Sequence, residues 1–204
     1  PNKHAGMIYA SNLCQEIAQN VGFTNLIEET VNEDGTLTTK TSMGDMVTCN
    51  LNSINLGQTA DEELEENIAL QIRMLDNVIT INQAPVPESR FTSDKYRAIG
   101  LGTSGYHHYL VKHNVQWESE EHLKVADELF ENIAYAAIKA SMELAKEKGA
   151  YPAFKGSEWE TGEYFTRRGY TSERWTQLAA DVKKYGIRNG YLMAVAPTGS
   201  TSNI

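Results

Sequence analysis

The chain has 204 residues, with 18 basic and 27 acidic side chains, a net charge of −9, 41% hydrophobic and 22% charged residues. That is an ordinary globular composition, long enough for one domain with a substantial core. It excludes a membrane-spanning run of about 18 apolar residues, a basic-then-apolar leader and the basic clustering that nonspecific nucleic-acid binding needs.

Two cysteines do not make a disulfide scaffold, so a reducing, cytoplasmic setting is expected. The chain starts at Pro1 without a methionine and stops just after a turn, so it reads as part of a longer polypeptide.

Residues 6–14 read as an extended segment. Residues 28–44, rich in Thr, Gly, Asp and Asn, read as a hairpin or excursion turning at Asp34-Gly35. Residues 45–56 look like a second strand entering a loop. From 61 to about 82 the pattern is helical: Leu64, Ile68, Ile72, Leu75 and Ile79 recur at three- and four-residue spacing behind an acidic first turn. Ala84-Pro85-Val86-Pro87 stops it.

A short helix is expected over about 103–113. A long one is expected over 119–148, with Ser119 as N-cap and Leu123, Ala126, Phe130, Ile133, Ala137, Ala140 and Leu144 on its apolar face. A polar, aromatic loop follows over 151–170, then a helix from Ser172 to about Tyr185, ended by Gly186. Residues 191–196 form a compact apolar run, expected to be a buried strand. Alternating strands and helices with no internal boundary indicate a single α/β unit over 1–204.

Four segments could carry chemistry. The first is Asn12-Leu13-Cys14-Gln15-Glu16. On an extended backbone residues 12, 14 and 16 share one side, about 6–7 Å apart. A nucleophilic cysteine needs a nearby cation or helix N-terminus. Here the neighbour is an acid, which disfavours a second negative charge and keeps the thiol as S–H. A neutral thiol suits hydrogen-atom chemistry better than nucleophilic attack. On local grounds alone the commoner reading is a buried structural cysteine.

The second segment, Cys49-Asn50-Leu51-Asn52-Ser53-Ile54-Asn55-Leu56, puts a cysteine at a strand end; by itself it reads as structural. The third, Pro197-Thr198-Gly199-Ser200-Thr201-Ser202-Asn203, is a hydroxyl-rich turn after an apolar strand. It can offer donors to an anion without a lysine, or it can be an ordinary capping turn. The fourth, Gly100-Leu101-Gly102-Thr103-Ser104-Gly105, matches a dinucleotide fingerprint by letters, but Asp94-Lys95-Tyr96-Arg97-Ala98 before it does not read as the required strand. Its glycines are better explained by close backbone packing at a helix start. His107, His108 and His113 lack a clean ligand set, and no metal is expected on this chain.

In this order, three of these pieces resemble the catalytic subunit of ribonucleotide reductase. Asn12-x-Cys14-x-Glu16 resembles that family's finger-loop motif. Cys49-Asn-Leu-x-Ser-x-Asn-Leu resembles the strand carrying one of its two redox cysteines. Ala196-Pro-Thr-Gly-Ser-Thr-Ser-Asn-Ile204 resembles its substrate-phosphate loop. Ala98-Ile-Gly-Leu-Gly also matches, and the likeness spans essentially the whole chain.

The resemblance implies part of a ten-stranded α/β barrel with a central finger loop. It implies reduction of ribonucleotides, diphosphates on overall likeness to class I, to 2′-deoxyribonucleotides. Carried over by position, Cys14 is the thiyl radical that takes hydrogen from C3′, and Glu16 is the base at the 3′-OH. Asn12 bonds the ribose hydroxyls. Cys49 is half of the reducing dithiol, and Thr198, Gly199, Ser200, Thr201 and Ser202 cradle phosphate.

No cofactor is implied on this segment itself. The radical is implied to come from a metal–tyrosyl small subunit, or alternatively from adenosylcobalamin. An external thiol reductant of thioredoxin or glutaredoxin type is implied as well.

The family's other redox cysteine, allosteric sites, radical-path tyrosines and cysteine tail lie outside these residues. The segment is therefore expected to work only with the remaining parts of a catalytic subunit, and to be inactive alone. Two alternatives remain at this point. One is a noncatalytic remnant that binds a nucleotide phosphate or a subunit. The other is a thiol hydrolase, which predicts rapid alkylation of Cys14.

Overall fold

A computed structural model describes residues 1–201. Its centre is a parallel sheet. Strand β5 (Leu51–Asn55) pairs with β6 (Gly100–Ser104) in the register Leu51↔Gly100 to Asn55↔Ser104. Residues 191–194 run parallel along the other side of β6, through a bridge between Leu101 and Met193. Leu101 N donates to Leu192 O at 2.8 Å, and Ala194 N to Leu101 O at 3.1 Å.

Helices α1 (Leu64–Ile81) and α2 (Pro87–Tyr96) form the first crossover. Helices α3 (Tyr106–Lys112), α4 (Glu120–Lys148), α5 (Glu158–Thr161), α6 (Glu163–Arg167) and α7 (Glu173–Tyr185) form the second. Helical crossovers are what parallel strands require. Among the described residues this sheet stays open, and no closed barrel is present.

The periodicity of α1 buries Ile68, Ile72, Leu75 and Ile79 against α4, as its spacing predicts. Ser119 caps α4, accepting from His122 N at 3.1 Å. The expected face of α4 needs correction. Ile133, Ala137, Ala140 and Leu144 are buried, but Leu123 is 70% exposed and Phe130 41% exposed. In the first turns of α4 the buried positions are His122 and Leu129, so the packed face there runs one residue off the expected one.

Four further expectations change. Residues 100–104 are a strand rather than a helix start, because glycines at 100 and 102 let neighbouring chains approach closely. A Cβ on Gly102 would lie 2.6 Å from Ala194 O. Helix α2 was not anticipated; Pro87 occupies its first turn, where a missing N–H costs nothing. The 151–170 loop contains α5 and α6. Beyond residue 194 the apolar run leaves the sheet, and Val195 is 94% exposed.

Two antiparallel hairpins precede this sheet. In the first, β1 (Ile8–Ser11) pairs with β2 (Ala18–Asn20). In the second, β3 (Asn25–Val31) pairs with β4 (Leu37–Ser42) around the expected Asp34-Gly35 turn, where Asp34 Oδ1 accepts from Thr36 N at 2.9 Å. No helix among the described residues is long and apolar enough to cross a membrane.

Candidate functional site

Residues 12–17 are a tight loop between β1 and β2, not the extended run that alternation suggested. Asn12 N donates to Ile17 O at 3.2 Å, and Gln15 N to Asn12 O at 3.1 Å with Gln15 at φ 67°. The Asn12 side chain closes the loop: its Oδ1 accepts from Ile17 N at 2.7 Å and from Ser11 Oγ at 3.2 Å. The Ile17 bond identifies that end of the amide as the oxygen, so the other end is the donor.

Asn12 Nδ2 donates to Glu16 Oε1 and to Cys49 Sγ, the latter at 2.9 Å. Both donor hydrogens of the buried amide are thereby used.

Cys49 lies just ahead of β5 and is exposed. Its neighbour Asn50 is held on both sides. Asn50 O accepts from Gly100 N at 2.9 Å, and Asn50 Nδ2 donates to Leu75 O at 2.8 Å. The thiol is thus delivered from the edge of the parallel sheet.

Cys14 occupies the tip of the 12–17 loop, exposed and unbonded to Cys49, beside a Leu13 that is 91% exposed. The buried structural reading of Cys14 is thereby overturned: a loop tip offers it no core to enter.

The second oxygen of Glu16, Oε2, is buried and finds no hydrogen-bond partner among the described residues. Glu16 lines a cavity of about 740 Å³ together with Gly102, Thr103, Val195, Arg168 and Tyr170. An unsatisfied carboxylate oxygen in such a place is an open acceptor for a hydroxyl donor.

At the end of the described residues, Thr198, Gly199, Ser200 and Thr201 form a turn in which Thr201 Oγ1 donates to Thr198 O at 3.0 Å. Ser202 lies outside the described residues. The turn is joined to the cluster through residues 193–195, which line the same cavity as Glu16. Cys14, Cys49 and residues 198–201 are not among the residues lining it.

The structure therefore joins Glu16 and Cys49 through the Asn12 amide, with Cys14 two residues along the chain from Asn12 and from Glu16. The hydroxyl turn connects to them along the chain rather than by a contact.

Two contributors carried no local signal. Tyr191, one of ten tyrosines, has its hydroxyl on Asn20; burial pushes it up to about 12. Arg168 lies within the stretch that looked like a loop. His113 pairs with Asp61 at 3.2 Å, and among the described residues no group of three His, Cys, Asp or Glu could hold a metal.

The model of the ribonucleotide reductase barrel domain matches residues 1–204. The chain belongs to that family. It is 52% identical over 210 residues to a protein named ribonucleoside-diphosphate reductase subunit alpha from Treponema pallidum, covering 100% of this chain and 25% of that one. A protein of the same name from Helicobacter pylori is 36% identical, covering 99% of this chain and 32% of that one. The ribonucleoside-diphosphate reductase large chain of Neurospora crassa is 32% identical over 99% of this chain and 21% of its own. The chain thus spans between about a fifth and a third of the length of these relatives.

Proposed function

We propose that this chain is the central part of a ribonucleotide reductase catalytic subunit, and that it carries the thiol chemistry converting ribonucleoside diphosphates to 2′-deoxyribonucleotides. The observation that carries the reading is the Asn12 amide, which ties a carboxylate and a thiol together beside a second thiol. Membership of the family and the names of its relatives support it.

Cys14 enters the reaction once an oxidising equivalent arrives from a metal–tyrosyl partner subunit or, alternatively, adenosylcobalamin. Its exposure on a loop tip suits a group that must be reached from outside this chain. The Cys14 sulfur then takes the hydrogen atom from ribose C3′; the C3′–H bond breaks and an S–H bond forms. Glu16, through its unpartnered Oε2, accepts the 3′-OH proton.

The 2′-OH leaves as water. Two electrons and two hydrogens come from a dithiol of which Cys49 is one member, one hydrogen leaving in the water and the other going to C2′, and the dithiol ends as a disulfide. Cys14 then returns its hydrogen atom to C3′, which restores the C3′–H bond and the sulfur radical, and Glu16 returns its proton to the 3′-oxygen. An external thioredoxin- or glutaredoxin-type thiol restores it. Residues 198–202 hold the substrate phosphates by hydroxyl and backbone N–H donors, as a turn after a strand can.

Asn12 has no spare donor in this arrangement, so to bond ribose hydroxyls it must release Glu16 or Cys49. Substrate binding and loosening of that cluster are one event.

The test replaces the matching segment of the Treponema pallidum subunit with residues 1–204 and assays deoxycytidine diphosphate formation with that enzyme's radical-generating partner and a dithiol. Reduction is expected, and Cys14→Ser is expected to abolish it. Cys49→Ser is expected to stop the reaction before the dithiol reduction, so that no deoxynucleotide forms. Retained turnover in Cys14→Ser would sink the reading and leave a noncatalytic phosphate-binding role.

A further inference from the structure

We infer that Tyr191 is a positioning residue for the 12–17 loop: its hydroxyl latches Asn20 and holds the Cys14 loop in register with the strand that leads to the hydroxyl turn. The inference deepens the proposed function and rests on it.

The latch is two-way. Tyr191 Oη accepts from Asn20 N at 3.1 Å and donates to Asn20 Oδ1 at 2.8 Å. Asn20 is buried at the end of β2, paired with Ile8 of β1, and its Nδ2 donates to Gly6 O. One asparagine therefore gathers both strands of the hairpin and presents them to one hydroxyl.

That hydroxyl is itself fixed. Tyr191 O accepts from Ile99 N at 3.0 Å, and the ring meets Tyr96 edge-on at 5.9 Å. Raised to about 12 by burial, the phenol keeps its proton, and so its donor role, throughout the neutral range.

Of the other supports, the Asn12 bond to Cys49 holds the loop at the sheet edge, and the rest act outside the loop. Asn2 holds the residues before β1 by donating to Gly190 O at 3.0 Å, and Gly22, after β2, exchanges bonds with Asp45. Ile17, buried at the start of β2, rests on the sheet: a Cβ on Gly100 would lie 3.1 Å from Ile17 Cδ1. That contact is apolar and non-directional, so alone it is a pivot. The Tyr191 bond fixes the direction in which β2 leaves the pivot and, together with the Asn12 bond to Cys49, where the loop tip with Cys14 points. Tyr191 also opens the segment that runs through residues 193–195 to the turn at 198–201. The latch thus ties the reacting thiol and the phosphate turn to one rigid element.

The experiment uses the complete polypeptide carrying these residues, assembled with its radical-generating partner. Tyr191→Phe removes one oxygen and keeps the ring. Its kcat is expected to fall by about ten-fold or more while KM for the diphosphate changes by less than about two-fold, since misplacement by an ångström slows chemistry more than binding.

Hydrogen exchange at the amides of Gln15 and Ile17 is expected to accelerate, with the buried turns of α4 unchanged. Asn20→Ala removes the Oδ1 acceptor and the Gly6 contact but keeps the backbone N–H that reaches Tyr191 Oη, so the double variant is expected to lose less than the sum of the two single effects. Unchanged kcat and exchange in Tyr191→Phe, acceleration spread equally through α4, or simple additivity would each overturn the latch. Absence of reduction by the unaltered enzyme would overturn the proposed function instead, and the exchange rates at Gln15 and Ile17 would then decide the latch alone.

Discussion

Asn12 Nδ2 lies 2.9 Å from Cys49 Sγ, a contact between residues 37 positions apart. The same nitrogen donates to Glu16, and the opposite end of the amide receives Ile17 N. One side chain thereby sets loop closure, carboxylate position and thiol position together, and separate substitutions should separate these effects.

Asn12→Ala leaves the Ile17 N–H without its acceptor and is expected to cost about 1–3 kcal/mol. Asn12→Asp keeps that acceptor but brings a carboxylate against Glu16 and loses both donors. Exchange at the Ile17 amide should therefore speed up in Asn12→Ala and stay slow in Asn12→Asp, while in the assembled enzyme of the proposed function deoxynucleotide formation falls in both. Equal exchange in the two variants would remove the loop-closing role.

Cys14 and Cys49 are both free and exposed. The native chain is expected to take up two alkyl groups from iodoacetamide without denaturant, read by intact mass. Uptake of one or none would contradict the exposure of a thiol.

Asp76 is fully buried and faces Arg97 Nε at 2.6 Å, Arg188 Nε at 3.2 Å and Lys148 Nζ at 3.4 Å. Burial pushes its carboxyl upward, but the Arg97 hydrogen bond and the three positive charges outweigh it and hold it below the ordinary carboxylate range. A lowered folded value means that the stabilisation is complete above the unfolded value, about 3.9, and is lost as pH falls through the folded one. Asp76→Ala strands a buried Arg97 and is expected to cost about 3–5 kcal/mol at pH 7. Urea unfolding at pH 7 and in acid should show that gap shrinking as the unaltered chain loses its own contribution. A gap independent of pH would refute this account.

Gly102 has no room for a side chain: an added Cβ would meet Ala194 O at 2.6 Å and Ser53 Oγ at 3.3 Å. Gly102→Ala is expected to destabilise by about 1–3 kcal/mol, the usual range for overpacking. In the assembled enzyme of the proposed function it should also raise KM for the diphosphate, because residue 194 leads to Thr198 four positions on. Wild-type thermal stability in this variant would show that the 191–194 segment packs less closely on β6.

The local readings that held are those whose physics is local. The spacing of Ile68, Ile72, Leu75 and Ile79 follows the helical repeat, and the burial of those four side chains follows with it. Ser119 and Asp34 each bond a backbone N–H two or three residues away, so their roles at a helix start and a turn can be read from neighbours. Leu123 shows the limit: it keeps the spacing of its helix and still faces solvent while its neighbour His122 is buried, since spacing suggests an apolar face and packing decides which residues the core takes.

From sequence alone came the α/β alternation, the three longest helices, the hairpin at Asp34-Gly35 and the order of motifs that marks the family. Tertiary structure alone decided that Asn12 reaches Cys49, that residues 100–104 are a buried strand, and that Tyr191 holds Asn20 across 171 positions. A hydrogen bond depends on ångström-scale distance and direction, and between residues so far apart only the packing of strands and helices into one body determines either.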